Sequence, residues 1–422
     1  MNSPKKPMVW RLVLAFVALD LFLCGFIPWL GWQYVQNSEK VQAITVQLSS
    51  GSATVTRPEL GIAESMPASL DGLSEGSQLV VSPDSQVVVV YKNPEDGQIL
   101  ETLQLYGNTL LTLTSHRLRR FEWSRLPNQT LLTLEQGRMR LLVSNETFHN
   151  GQIQVQTPHG LVEITQPGAY SIEIIGGSSV RNANTDVIVS QGQATVVVGE
   201  QRLLLQDRQR ALLDGTNLPT LDTNVARNLV LDNNFLNPLG NTWQAFQKRD
   251  LASDPEGLIE SISLEGFTAL HFQRIGTRWG EVGVTQPLNR DVRDYTRVVL
   301  SLAALIKDQS LPVCGIRGSE CPLMVKIVYI DASGKENEWL QGFYSQGTPS
   351  NTYPNRCVTC ASLTNEHIRV NAGFWRYYDT DNLIQVLTRN GSAPVTLKSI
   401  TLYAQGHTFD SYVSQVNILA QE

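Results

Sequence analysis

Residues 8–30, MVWRLVLAFVALDLFLCGFIPWL, form an apolar tract long enough to cross a bilayer as one helix. Such a tract divides the chain, because the long remainder beyond it must fold on one side of the membrane. Lys5 and Lys6 precede it, and Trp29, Trp32 and Tyr34 stand at its trailing end, where amphipathic rings suit the interface. Asp20 is the awkward residue. An acid at mid-membrane costs roughly 2.5–3.5 kcal/mol, whereas the Leu, Ile, Val and Phe residues between Leu12 and Leu30 return roughly 4–7 kcal/mol, so insertion wins. Lys5, Lys6 and Arg11 on the leading side place a short tail, residues 1–7, in the cytoplasm and the bulk outside. A cleaved secretory signal would need a small-x-small site, and PWLGWQYVQ has none. A lipoprotein signal at Cys24 would need a small residue where Leu23 stands. The expectation is a single-pass anchor over 8–30, then a stalk over 31–44. Asp20, together with Arg11, reads either as a tolerated polar residue or as a contact to a second membrane protein.

From Val41 to Leu213 the chain is a succession of short runs, many alternating apolar with polar, separated by Gly and other turn residues. Period two is the signature of strands with one buried face, and this spacing predicts stacked sheets, a sandwich or a barrel. Charged residues make up only 17% of the 422, with 31 Gly and 19 Pro, which suits turn-rich β structure better than charged helical bundles. The net charge of -6 gives no broad cationic field, which argues against a nucleic-acid partner or an acidic membrane surface. Asp214–Val225 breaks the pattern and reads as part of a linker over 214–228.

Several segments carry a family resemblance. They are Leu73–Tyr91 (LSEGSQLVVSPDSQVVVVY), Leu134–Val143 (LEQGRMRLLV), Val155–Ile164 (VQTPHGLVEI), Tyr170–Ile174 (YSIEI), Thr185–Val198 (TDVIVSQGQATVVV) and Leu203–Leu213 (LLLQDRQRALL). Together, residues 45–213 resemble the FecR-type domain. Pro167-Gly168-Ala169-Tyr170 departs from the Gly-Thr-x-Phe usual there. The resemblance implies an extracytoplasmic β domain, known in its best-studied members for relaying an outer-membrane transport signal to a cytoplasmic sigma factor. Such relays need a folded cytoplasmic segment ahead of the membrane helix, and residues 1–7 are too few for one, so direct sigma-factor regulation is not expected here.

Residues 229–422 read as a second β domain. Its opening, Asn228–Phe246 (NLVLDNNFLNPLGNTWQAF), is similar to carbohydrate-binding jelly rolls and galactose-binding-like sandwiches, and Val282–Ile306 resembles the strand, turn and strand where such a core begins. The fold class expected is therefore mainly β: one transmembrane helix, a FecR-like domain and a jelly-roll-like sandwich.

Cys314, Cys321, Cys357 and Cys360 stand in Pro- and Gly-rich loops of the second domain. Outside the cytoplasm an even number of thiols predicts two disulfides, with three connectivities open; a zinc site on these thiols, Cys357-x-x-Cys360 having knuckle spacing, and free thiols are the alternatives. The histidines 116, 149, 159, 271, 367 and 407 are isolated, and no His-Glu-x-x-His, P-loop, G-x-G-x-x-G or G-x-S-x-G occurs, so no metal, cofactor or catalytic residue is expected. Glu260, Glu265 and Glu281, or Asp291 and Asp294, read as solvated carboxylates. Flat aromatic rings beside hydrogen-bonding groups suit sugar faces, and Trp279, Glu281, Trp375 and Tyr377 are the candidate ligand residues, weighed against plain packing. Alternation over Gly373–Tyr378 puts Trp375 and Tyr377 on one face. The expected function is a membrane-anchored binding or scaffold protein of the cell envelope, meeting glycan or protein and not an enzyme. A signalling subunit acting through a membrane partner at Arg11 and Asp20 is the alternative, and a glycan hydrolase the third reading.

Overall fold

The computed structural model describes residues 6–121, 123–144, 151–175, 183–217, 219–222, 225–361, 363–389 and 391–422. Two compact units divide the chain at Asn224/Val225. The fold is mainly β, with one apolar N-terminal helical segment.

In the first unit, helix α1 (Lys6–Leu21) continues through a π-helical turn (Phe22–Phe26) into α2 (Ile27–Asn37). Val13–Asn37 has the length and apolarity to cross a membrane, and its window is wholly exposed. The stretch read as a stalk is helix to Asn37 and strand from Glu39. Gln36 latches it: its Nε2 donates to Trp123 O (3.2 Å) and its Oε1 accepts from Arg125 N (2.7 Å). Glu39 then pairs with Arg117 (3.0 Å) and Arg119 (2.7 Å), so the polar groups next to the apolar tract are neutralised within the unit.

The strands form a ten-stranded and a nine-stranded sheet whose inner faces share one core, including Val46, Val87, Val89, Leu103 and Leu141 from one and Leu79, Leu111, Leu132 and Val155 from the other. Pairing is antiparallel except between Asn128–Gln136 and Gly151–Thr157. At two of the Gly-containing turns, at Gly137 and Gly192, the chain changes sheet. Strand Asn128–Gln136 lies in the ten-stranded sheet and Arg138–Val143 in the other; Asn184–Gln191 and Ala194–Val198 make the reverse step.

A cluster of polar side chains is buried between the sheets. Tyr91 and Glu101 are cross-strand partners in one sheet, His116 and Thr130 in the other. All four are buried. Thr130 Oγ1 donates to Glu101 Oε1 (3.0 Å), and the Tyr91 and His116 rings meet at 6.0 Å. Burial pushes the Glu101 carboxyl up to about 7 and lowers the His116 imidazole, because each loses hydration in its charged form.

The second unit is a sandwich. Numbered within it, the main strands are β1 (Gln244–Arg249), β2 (Leu258–Leu264), β3 (Phe267–Arg274), β4 (Gly280–Asp291), β5 (Arg297–Gln309), β6 (Leu323–Asp331), β7 (Glu336–Tyr344), β8 (Arg376–Asp379), β9 (Pro394–Gly406) and β10 (Phe409–Gln421). One sheet runs β2-β3-β10-β5-β8, with Arg227–Asn228 pairing β10. The other runs β1-β4-β9-β6-β7, then Leu363–Thr364, with Ile368–Arg369 also pairing β7. Trp339, Phe343, Val325 and Leu402 from one sheet meet Phe272, Leu302, Val413 and Ile418 from the other in one core. Short helix α3 (Leu383–Thr388) is capped by the Asn382 side chain, which accepts from Ile384 N, and buries Leu383, Val386 and Leu387.

Candidate functional site

The outer face of the β1-β4-β9-β6-β7 sheet carries a groove of about 310 Å³, lined by Phe246, Lys248, Glu281, Thr285, Lys326, Thr401 and Tyr403 together with Gln247. Register alone assembles it. Lys248 stands opposite Glu281, Phe246 opposite Gly283, and Gly283 and Thr285 opposite Tyr403 and Thr401. Lys326 then stands opposite Thr401 on the next strand. Side chains two residues apart share a face, so neighbouring strands point these residues the same way.

Gly283 is required there. A Cβ on it would lie 2.7 Å from Phe246 Cζ and 2.6 Å from Tyr403 Cβ, so only glycine lets the Phe246 ring rest on the strand beside Tyr403. The polar margin is paired. Lys248 Nζ donates to Glu281 Oε1 (2.8 Å) and lies 5.4 Å from the centre of the Phe246 ring, and the Thr285 and Thr401 hydroxyls meet at 2.9 Å. Burial, with the charges of Glu281 and Glu338, pushes the Tyr403 phenol well above its ordinary value, so it stays protonated at neutral pH. Two rings, a paired acid and base and two hydroxyls therefore converge on one open groove, which is what a polar ligand with apolar faces needs. Trp279, immediately before β4, has the parity of Glu281. The Gln405 amide, oriented so that its nitrogen donates to Ser319 O (2.7 Å), accepts from Trp279 Nε1 (2.8 Å).

Trp375 and Tyr377 lie elsewhere, on the outer face of the opposite sheet. The strand there spans Arg376–Asp379, shorter than the run read from Gly373, because the Phe374 amide closes a turn onto Asn371 O. Trp375 packs on Ala269, Leu305 and Tyr412, whereas Tyr377 is 61% exposed. Tyr378, next along β8, turns inward and meets Phe343 edge-on at 5.2 Å. Beside Trp375, His271 stacks flat on Tyr412 (4.2 Å between ring centres), with Nδ1 3.3 Å from Glu260 and Nε2 3.0 Å from Asp410. Lys307 Nζ donates to Tyr412 Oη (3.1 Å). The four sequence candidates thus divide by sheet, Trp279 and Glu281 on one and Trp375 and Tyr377 on the other.

No protein-family model matches the chain, and no curated protein does. Two kinds of solved structure stand among those similar to parts of this chain. One is a candidate anti-sigma factor from Parabacteroides distasonis, at 13% identity and a TM-score of 0.26, covering 35% of this chain and 59% of that one. The chain therefore spans about three fifths of that protein's length. The other holds the family 11 carbohydrate-binding module of a cellulosomal cellulase of Clostridium thermocellum, at 10% identity and a TM-score of 0.27, covering 46% of this chain and 94% of that one. A family 30 module, also from a cellulosomal cellulase of Clostridium thermocellum, is similar at 10% identity and a TM-score of 0.24, over 41% and 90%.

The disulfides join near neighbours, Cys314 to Cys321 and Cys357 to Cys360, and Cys24 stands free on the helix surface. Asp20 lies on the exposed surface of α1, and the Arg11 side chain lies outside the described residues. Sequence reasoning missed Phe246, Gly283 and Tyr403. The available signal was the alternation Thr401, Tyr403, Gln405 along one strand, but nothing local names its partners.

Proposed function

We propose that this chain is a membrane-anchored, extracytoplasmic binding protein of the cell envelope whose C-terminal sandwich holds a glycan along the outer face of the β1-β4-β9-β6-β7 sheet. The observation that carries this reading is the groove itself. The Phe246 and Tyr403 rings offer apolar faces to a sugar's axial C–H surface, while Lys248, Glu281 and the two threonine hydroxyls offer donors and acceptors to its edges. Trp375 and Tyr377, on the other sheet, are proposed as a separate contact surface. The FecR-like unit is proposed as a spacer or protein-contact module.

The binding test compares the wild type with Phe246→Ala and Glu281→Gln by retention on a panel of envelope and plant polysaccharides. Loss of the half-buried Phe246 ring should weaken retention by about 1–2 kcal/mol, roughly five- to thirtyfold, with little change in melting temperature. A panel that the wild type ignores altogether would sink the glycan reading and leave the groove to a protein partner.

Topology is tested independently. Two disulfides in the C-terminal unit suit an oxidising compartment, and the basic leading flank of the helix puts the N-terminus inside. Protease added to spheroplasts should therefore digest everything beyond residue 37 and leave a short membrane fragment. Full protection would reverse the orientation.

A second reading, a signalling subunit that works through a membrane partner, is favoured by Asp20 on the exposed helix surface. Capture of one membrane protein by the wild type but not by Asp20→Leu would establish it.

A further inference from the structure

We propose that Cys314, Cys321 and His367 form a redox-gated metal site, closed while the Cys314–Cys321 disulfide stands and open to a zinc ion once it is reduced. The three ligand atoms lie within 4.8 Å of one another, and all three residues are buried. His367 is the observation that points to a ligand. Its Nε2 faces Gly318 O at 2.7 Å, so this nitrogen carries the proton and donates it. The lone pair is then left on Nδ1, which is buried and has no hydrogen-bond partner. Metal-bound histidines are held in this way, one ring N–H donating to a backbone carbonyl and the other nitrogen bare.

The space between sulfur and ring is kept open by Gly342. A Cβ there would lie 2.3 Å from Cys321 Sγ and 2.4 Å from His367 Nδ1, so any other residue would fill the site. Zinc bonds to sulfur at about 2.3 Å and to imidazole nitrogen at about 2.0–2.1 Å, so the sulfurs must move apart to roughly 3.8 Å and a fourth position remains for water.

The step balances with a dithiol reductant. Two electrons and two protons pass from the dithiol to the Cys314–Cys321 bond; the dithiol leaves as a disulfide, and the protein holds two thiols. Zn²⁺ then displaces both thiol protons, and two thiolates against one dication give a neutral cluster, as a buried site requires.

The test uses the full chain in detergent, with Cys24, Cys357 and Cys360 replaced by serine so that one thiol pair remains. After reduction with a phosphine, Co²⁺ serves as the spectroscopic probe. One equivalent should bind with thiolate charge-transfer absorption in the near ultraviolet, whereas the oxidised protein should bind none. His367→Ala should weaken binding at least tenfold, and Cys314→Ser should abolish the absorption. If the reduced apo-protein loses its near-ultraviolet circular dichroism, one equivalent of Zn²⁺ should restore it. Absence of stoichiometric binding after reduction, no restoration of that signal, or unchanged affinity in His367→Ala would each overturn the proposal.

Discussion

Replacing Arg274 by leucine is expected to destabilise the C-terminal unit by about 3–5 kcal/mol, among the largest effects available to a single side chain here. Arg274 ends β3 and is 2% exposed. Its guanidinium gathers four backbone carbonyls from three segments: Nε donates to Pro255 O (3.2 Å), and Nη1 to Arg278 O (2.7 Å), Gly406 O (3.2 Å) and His407 O (2.7 Å). Leucine would keep much of the volume but strand those acceptors, and a buried acceptor without a donor costs more than the bond was worth net. Lysine should recover only part, because a single ammonium cannot reproduce the planar fork. Urea unfolding followed by tryptophan fluorescence checks this, and a loss below about 1 kcal/mol for Arg274→Leu would mean the carbonyls find water instead.

Arg274 also marks the limit of what the linear chain discloses. In the sequence it is an arginine at the end of an alternating run, which ordinarily reads as solvated; its burial depends on loops at Pro255, Arg278 and His407 closing over it. The mainly β fold class was legible because period two is a local property. Ile153 and Val155 are buried while Gln152 and Gln154, alternating with them, are not. The inward turn of Tyr378 beside the outward Tyr377 follows from the same parity. Even the run Val87–Val90, apolar throughout, alternates in burial, and there the residue types alone conceal which face is inward.

The groove was not legible, for a different reason. Phe246, Gly283 and Tyr403 are neighbours only through the pairing of β1 with β4 and β4 with β9. Pairing partners so distant in sequence are chosen by the global packing of the core, and no spacing records the choice. Of the sequence candidates, Glu281 lines the groove and Trp279 stands two residues before it in the chain. His367 was invisible for a related reason. An isolated histidine acquires meaning only when Gly318 O accepts from one ring nitrogen and two sulfurs approach the other.

The remaining large effect concerns Glu101, where wild type and Glu101→Gln are expected to differ little in stability near pH 4.5 and by about 3 kcal/mol above pH 7, in favour of the variant. The carboxyl titrates at 4.5 when solvated and is pushed up to about 7 by burial in the core. Below 4.5 both states hold the proton, so it has no influence on the equilibrium. Between 4.5 and 7 the unfolded chain releases the proton and the folded chain retains it, so each pH unit of rise favours unfolding by about 1.4 kcal/mol. Above 7 both are ionised, and the penalty stays constant. His116 acts in the opposite sense. Its folded proton affinity is lowered from 6.5, so it removes stability as pH falls below that value. Tyr91, the third titratable group facing the cluster, is raised by burial and does not ionise in this range. The wild type therefore has a flattened profile, in which one group masks the other. The variant keeps the Thr130 contact through its amide and should show the His116 slope alone, gaining stability up to about pH 6.5. Urea midpoints at half-unit steps from pH 4.5 to 8 read the difference directly. A difference that stays flat across that range would mean Glu101 is ionised in the folded protein throughout, and the buried cluster would then have to hold a compensating cation.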